Sequence, residues 1–195
     1  MLEIWGRKNS FNVQKVLWCC EELEVPFRRH DAGGLFGVTG EDEYRARNPT
    51  GLVPTISDDG FTLWESNTIV RYLAAKHGAG TLWPEDPGER ALAEKWMDYQ
   101  LGTFFPAFKD ALLGLVRTPP EQRDEEKIEA SVRGTAGVLP VLDGHLGELL
   151  ADQAERGGDA ARGQLVVVLD HGDVVEAHPL VRAAAGTHGV LLQRP

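Results

Sequence analysis

Two short stretches bring together residue types that can hold a small peptide-like anion. Asn48-Pro49-Thr50-Gly51-Leu52-Val53-Pro54-Thr55-Ile56 is a Pro/Gly-rich turn entering a Val/Thr/Ile strand, and Trp64-Glu65-Ser66-Asn67 follows at short range. Proline gives up a ladder donor and belongs at strand starts or turns, so its place directly after Val53 suits a cis Val53-Pro54 bond. Such a bond turns the Val53 amide and carbonyl outward, where they can pair strand-fashion with the main chain of a bound peptide. Glu65-Ser66 falls where an amphipathic helix begins, and the unpaired amides and positive dipole end there favour a carboxylate. Taken singly, Ser66 serves as well as an N-cap and Pro54 as a turn residue. Their order and spacing are what favour a ligand site.

The elements that must position these residues are short. Leu2 to Trp5 reads as an apolar strand and Gly6-Arg7-Lys8-Asn9-Ser10 as a polar loop. Val13, Val16, Leu17, Cys20 and Leu23 recur at helical spacing, which starts a helix near Ser10 to Asn12. Val25 to Asp31 fits a second strand. Ser57-Asp58-Asp59-Gly60 reads as a hairpin turn, with Phe61 to Trp64 the returning strand and Ile69, Val70, Leu73 and Ala74 one face of the next helix. Gly33-Gly34-Leu35-Phe36-Gly37 lacks the pattern of a phosphate loop and reads as a flexible rim.

In this order and spacing the two motifs resemble the cytosolic glutathione transferase superfamily, in its theta-like and bacterial members. The resemblance is strong over residues 1 to about 108, looser to about 150, and then stops. It implies an α/β thioredoxin-like N-terminal domain followed by an all-helical C-terminal domain, here truncated or altered. In that family the residue before a cis-proline pairs with the cysteinyl backbone of glutathione, and a Glu/Gln-Ser pair binds the γ-glutamyl end. Those roles fall on Val53, Pro54, Glu65 and Ser66. A serine at the mouth of the first helix activates the thiol in theta-like relatives, which points to Ser10, with Asn12 as second candidate. The physics fits: a donor at a helix start favours a thiolate, and each pKa unit is worth about 1.4 kcal/mol. Either residue serves equally as a simple helix cap. A basic residue often meets the glycyl carboxylate in this family, and Arg45 or Arg47 stands near the right loop, though a solvated surface arginine reads as well.

Composition narrows the remaining classes. The chain has 195 residues and a net charge of -10, which argues against nucleic-acid and anionic-membrane partners. Its longest apolar runs fall short of the roughly 18 residues of a membrane helix, and the N-terminus reads as a strand instead of a signal peptide, so a cytoplasmic location is expected. Cys19 and Cys20 are adjacent within a helix, where a disulfide would be strained, and read as packing residues.

Domain limits follow from punctuation: a glutathione-binding domain at 1–78, a Gly/Pro-rich linker at 79–87, a helical domain at 88–150 and an atypical tail at 151–195, expected to be poorly ordered. Tyr99, Phe104 and Phe108 are candidates for the electrophile pocket, or equally for ordinary core. Residues 121–150 read as a helix that Pro140 and several glycines interrupt or kink. Beyond Ala136 the only Ser, Thr or Asn is Thr187, so no Ser/Thr-x-x-Asp capping box of the family type can be written. A shifted reading frame or a divergent terminus would account for that break, and activity is expected to suffer from it. His171, His178 and His188 with Asp173 match no zinc or facial-triad spacing, so no metal is expected. The expected function is conjugation of the glutathione thiolate to small apolar electrophiles by a detoxifying homodimer, with glutathione as co-substrate and no prosthetic group. Two alternatives stand: a catalytically weak binding or interaction protein of the same fold, and glutathione-dependent disulfide reduction.

Overall fold

The computed structural model describes residues 1–155. Two compact units divide between Ala93 and Glu94. The first carries a four-stranded sheet in the order β2-β1-β3-β4, with β1 at Leu2–Trp5, β2 at Phe27–His30, β3 at Thr55–Asp58 and β4 at Phe61–Trp64. β1 runs parallel to β2 and antiparallel to β3, and β3 is antiparallel to β4, so the sheet is mixed.

Local chemistry explains these elements. Asp59 and Gly60 take φ of 49° and 91°, the left-handed pair that a two-residue hairpin matching sheet twist requires. Ile4 pairs with Ile56 across the sheet centre and both are fully buried. Against them pack α1 at Phe11–Glu22 and α3 at Ser66–His77, through Val16, Cys19, Cys20, Ile69 and Leu73. The apolar face read at helical spacing is thus the buried face. Between β2 and β3 lies a short helix, α2, at Asp42–Arg47, and it buries Tyr44. The stretch expected to be a flexible rim contains a 3-10 turn at Gly34–Phe36, because Gly33, Gly34 and Gly37 supply positive φ around it. Between α3 and the next helix, the chain closes on itself through a bridge from Ala79 to Trp83.

α4, at Pro87–Tyr99, spans the division between the units. The second unit continues through π-helical turns at Gln100–Phe104 and Leu113–Arg117, which flank α5 at Phe105–Leu112. α6 runs unbroken over Glu125–Glu155 with Pro140 inside it, so the expected interruption does not occur. Pro140 is exposed, and a proline there removes one backbone donor while neighbouring turns keep theirs. Among the described residues no helix is long and apolar enough to cross a membrane. The readings for the tail beyond residue 155, including its histidines, lie outside the described residues.

Candidate active site

The loop Asn48 to Thr55 is held by a buried polar knot. Asn48, 1% exposed, donates from Nδ2 to the Leu52 carbonyl at 3.0 Å and to Thr55 Oγ1 at 2.9 Å. Its Oδ1 accepts from the Thr50 amide at 3.0 Å and the Thr50 hydroxyl at 2.6 Å. The Tyr44 hydroxyl donates to the Leu52 carbonyl at 2.6 Å and meets Thr55 Oγ1 at 2.8 Å. Burial raises the Tyr44 pKa against the pull of those hydrogen bonds, so the phenol stays a neutral donor. Satisfied in this way, the knot fixes the turn that carries the cis Val53-Pro54 bond.

Facing that loop is the start of α3. Glu65 is its N-cap residue, at φ 71° and without a side-chain capping bond, and Ser66 is the first helical residue. Ser66 is therefore not an N-cap. It is 6% exposed, and its hydroxyl donates to Asn12 Oδ1 on α1 at 3.3 Å. The helix dipole and unpaired amides of α3 point at the same place.

Between these walls lies a small, open cavity. Asn48, Thr50, Leu52, Val53 and Pro54 form one side, Trp64, Glu65 and Ser66 the other, and Asn12 reaches in from α1. Five of the sequence candidates thus meet: Val53, Pro54, Glu65, Ser66 and Asn12. Ser10 is not among the walls. It is the N-cap residue of α1, 6% exposed, and its hydroxyl makes no capping bond, while its carbonyl accepts from the Val13 and Gln14 amides at 2.8 and 2.9 Å.

The other candidates lie elsewhere. Arg45 donates to the Pro49 carbonyl at 3.2 Å, and Arg47 pairs with Glu43 at 2.7 Å while stacking over Trp5. Neither lines the cavity. In the second unit the Tyr99 hydroxyl donates to the Val138 carbonyl at 2.6 Å, tying α4 to α6. Phe104 and Phe108 are half-buried and stack at 5.5 Å. Both cysteines are buried and unbridged, and desolvation pushes their thiols up to about 11 for Cys19 and about 12 for Cys20. Neither can be a thiolate nucleophile near neutral pH. Among the described residues no group of three or more His, Cys, Asp or Glu could hold a metal ion.

Sequence reasoning gave no role to Asn48, Thr50, Leu52 or Trp64, although all lie within the quoted stretches. The adjacency of Asn48 to Pro49 is a turn signal that flagged the position without its four bonds.

The family described as glutathione S-transferase, N-terminal domain, matches residues 9–76. Glutathione S-transferase GstB of Escherichia coli K12 is 48% identical over 151 residues, covering 76% of this chain and 73% of that protein. The chain belongs to the cytosolic glutathione transferase superfamily. A theta class enzyme from the citrus canker pathogen Xanthomonas axonopodis pv. citri, solved with glutathione bound, has a TM-score of 0.73 and 46% identity, over 75% of this chain and 70% of that one. Glutathione transferase F2 of Populus trichocarpa has a TM-score of 0.70 at 26% identity, over 76% and 71% of the two chains. The enzyme is therefore a glutathione transferase, with a thioredoxin-like N-terminal domain and a helical C-terminal region.

Proposed function

We propose that the enzyme holds glutathione in the cavity between the Asn48–Thr55 loop and the start of α3, and conjugates its thiolate to small apolar electrophiles. The observation that carries this reading is the convergence of the cis Val53-Pro54 turn and the Glu65-Ser66 helix start on one cavity. The cysteinyl main chain pairs with Val53. The γ-glutamyl carboxylate meets Ser66 and the α3 amides, and its ammonium meets Glu65. The sulfur then falls toward the start of α1, where the Ser10 hydroxyl or the Asn12 amide donates to the thiolate. Asn12 Oδ1 already accepts from Ser66, which leaves its amide nitrogen to donate.

The thiolate attacks the electrophilic carbon and displaces its leaving group, halide in an aryl halide. Rate comes from proximity and from donors fixed in advance around the sulfur. The step asks for no metal or organic cofactor. The stacked Phe104 and Phe108 offer apolar surface for an electrophile, whereas the Tyr99 hydroxyl is engaged with α6. The family supports a homodimer that disposes of reactive small molecules in the cytoplasm.

Calorimetry with glutathione, run beside turnover of an aryl halide and of a small disulfide, tests the reading. Ser66→Ala is expected to weaken glutathione binding by about 1–3 kcal/mol, the cost of unsatisfied charged partners. Unchanged affinity would remove the assignment, and turnover of the disulfide alone would make the enzyme a reductase. Thiolate absorbance titrations of Ser10→Ala and Asn12→Ala identify the activating residue as the one whose loss raises the bound thiol pKa more.

A further inference from the structure

Lys15 reaches from α1 to the start of α3. Its ammonium donates to Asn67 Oδ1 at 2.7 Å and stands 5.3 Å from the Phe11 ring centroid. Asn67 directly follows Ser66 and is 7% exposed. Two side-chain bridges therefore lace the helix starts together beside the cavity, Ser66 to Asn12 and Lys15 to Asn67.

A lysine in this place is electrostatically uncomfortable. Burial removes water from the ammonium, and the start of a helix is the positive end of its dipole. Desolvation lowers the Lys15 pKa to about 8, against the Glu65 carboxylate, which raises it. Glu65 is the charged group acting on it, whereas Asn12 on α1 and Ser66 and Asn67 on α3 are neutral, and Arg71 lies one turn beyond Asn67. An anion arriving at the α3 start relieves both costs at once.

We propose that Lys15 is a positioning residue for glutathione: through Asn67 it holds the Glu65-Ser66 corner, and its charge stands behind the γ-glutamyl carboxylate. The inference rests on the reading of the cavity as the glutathione site. Ligand carboxylate and lysine charge then stabilise each other, so by linkage binding takes up protons near pH 8, and affinity falls as pH rises through that value.

S-Methylglutathione is the probe, because it carries both carboxylates and no titrating thiol. Calorimetry at pH 8 in buffers of different ionisation enthalpy should show proton uptake with the wild type. Lys15→Met should bind about tenfold more weakly at pH 7, equivalent to one unit of pKa coupling, and take up fewer protons than wild type, what remains belonging to the ligand's own ammonium. Lys15→Arg, charged throughout, should keep most of the affinity and decline less steeply above pH 8 than wild type, the remaining decline belonging to the ligand's own ammonium. Thermal unfolding at pH 7 measures the structural share, since Lys15→Met removes a half-buried charge but also the donor to Asn67 Oδ1, and proton uptake separates that share from the electrostatic one.

Binding by Lys15→Met within twofold of wild type, with the same pH dependence, overturns the inference alone. So does weaker binding that accompanies a lowered melting temperature and leaves proton uptake intact. Failure of the wild type to bind S-methylglutathione at all overturns the glutathione reading and this inference together.

Discussion

The two units bury their apolar residues to very different extents. In the first, Ile4, Ile56, Ile69 and Leu73 have no solvent exposure. In the second, among the described residues, Ala111 and Ile128 are buried, while Val116 and Val141 stay 60% and 55% exposed. Dense packing tolerates little displacement, and the candidate site hangs on the dense unit. Asn12 precedes the fully buried Val13, Pro54 stands two residues before Ile56, and Ser66 three before Ile69. Precision at the cavity walls is thus inherited from core residues one to three positions away. Phe104 closes a π-helical turn, and Phe108 stands three residues before the small buried Ala111.

The largest expected effect lies in that core. Ile69→Ala should cost roughly 2–5 kcal/mol of stability, with loss of glutathione binding under mildly denaturing conditions. Val116→Ala in the second unit should stay within about 0.5 kcal/mol. Urea unfolding curves of the two variants check this, and equal losses would erase the contrast between the units.

Next in size is the knot behind the cis-proline loop. Tyr44→Phe removes the hydroxyl that meets the Leu52 carbonyl and Thr55 Oγ1, both of which keep their bond from Asn48 Nδ2. A loss of about 0.5–1.5 kcal/mol is expected, accompanied by weaker glutathione binding because Leu52 and Val53 line the cavity. Stability loss with unaltered affinity would show that the loop keeps its shape without the knot.

These residues also mark what was legible in the sequence. The hairpin and the cis-proline entrance could be read because Asp59-Gly60 and Val53-Pro54 state their backbone needs locally. α1 and α3 could be read because Val13, Val16 and Cys20, and Ile69, Leu73 and Ala74, repeat at helical spacing and do face the core. Asn48 was opaque because the turn signal shows neither that its amide reaches Thr55 at the start of β3 nor that it closes on the Leu52 carbonyl. Lys15 reads as part of a polar face until α3 is set beside it. The positive φ of Glu65 has no sequence signal, since glutamate carries no preference for that region. Pro140 misleads for the opposite reason: a strong local signal is overridden by the long helix around it.

A third effect, smaller than these, is acid sensitivity confined to the first unit. Asp58 is 8% exposed. Desolvation raises its pKa, but hydrogen bonds from Lys76 and Tyr72 outweigh that and hold it below the usual carboxylate range. A depressed folded-state pKa contributes stability above the ordinary aspartate value of 3.8 and loses it as pH falls through the folded value. Stability of the first unit should therefore decline below about pH 4 more steeply in wild type than in Asp58→Asn. Identical acid profiles for the two proteins would remove Asp58 from the account.

The smallest effect should be a gain, and it belongs to the second unit. Gly137 is an exposed interior residue of α6, and a Cβ built on it meets nothing within 4 Å. Gly134 is similarly open, with Ala107 Cβ at 3.9 Å, whereas a Cβ on Gly114 would strike Ile128 at 2.5 Å. Glycine inside a helix loses more backbone entropy than alanine on folding, so Gly137→Ala should stabilise α6 by about 0.5–1 kcal/mol. Gly114→Ala should do the reverse, because the crowded atoms belong to Ile128, a buried side chain of α6. Helical circular dichroism through a thermal ramp reports both changes. If Gly137→Ala lowers the melting temperature, that face of α6 is covered in solution, and the exposed character of the second unit would have to be given up.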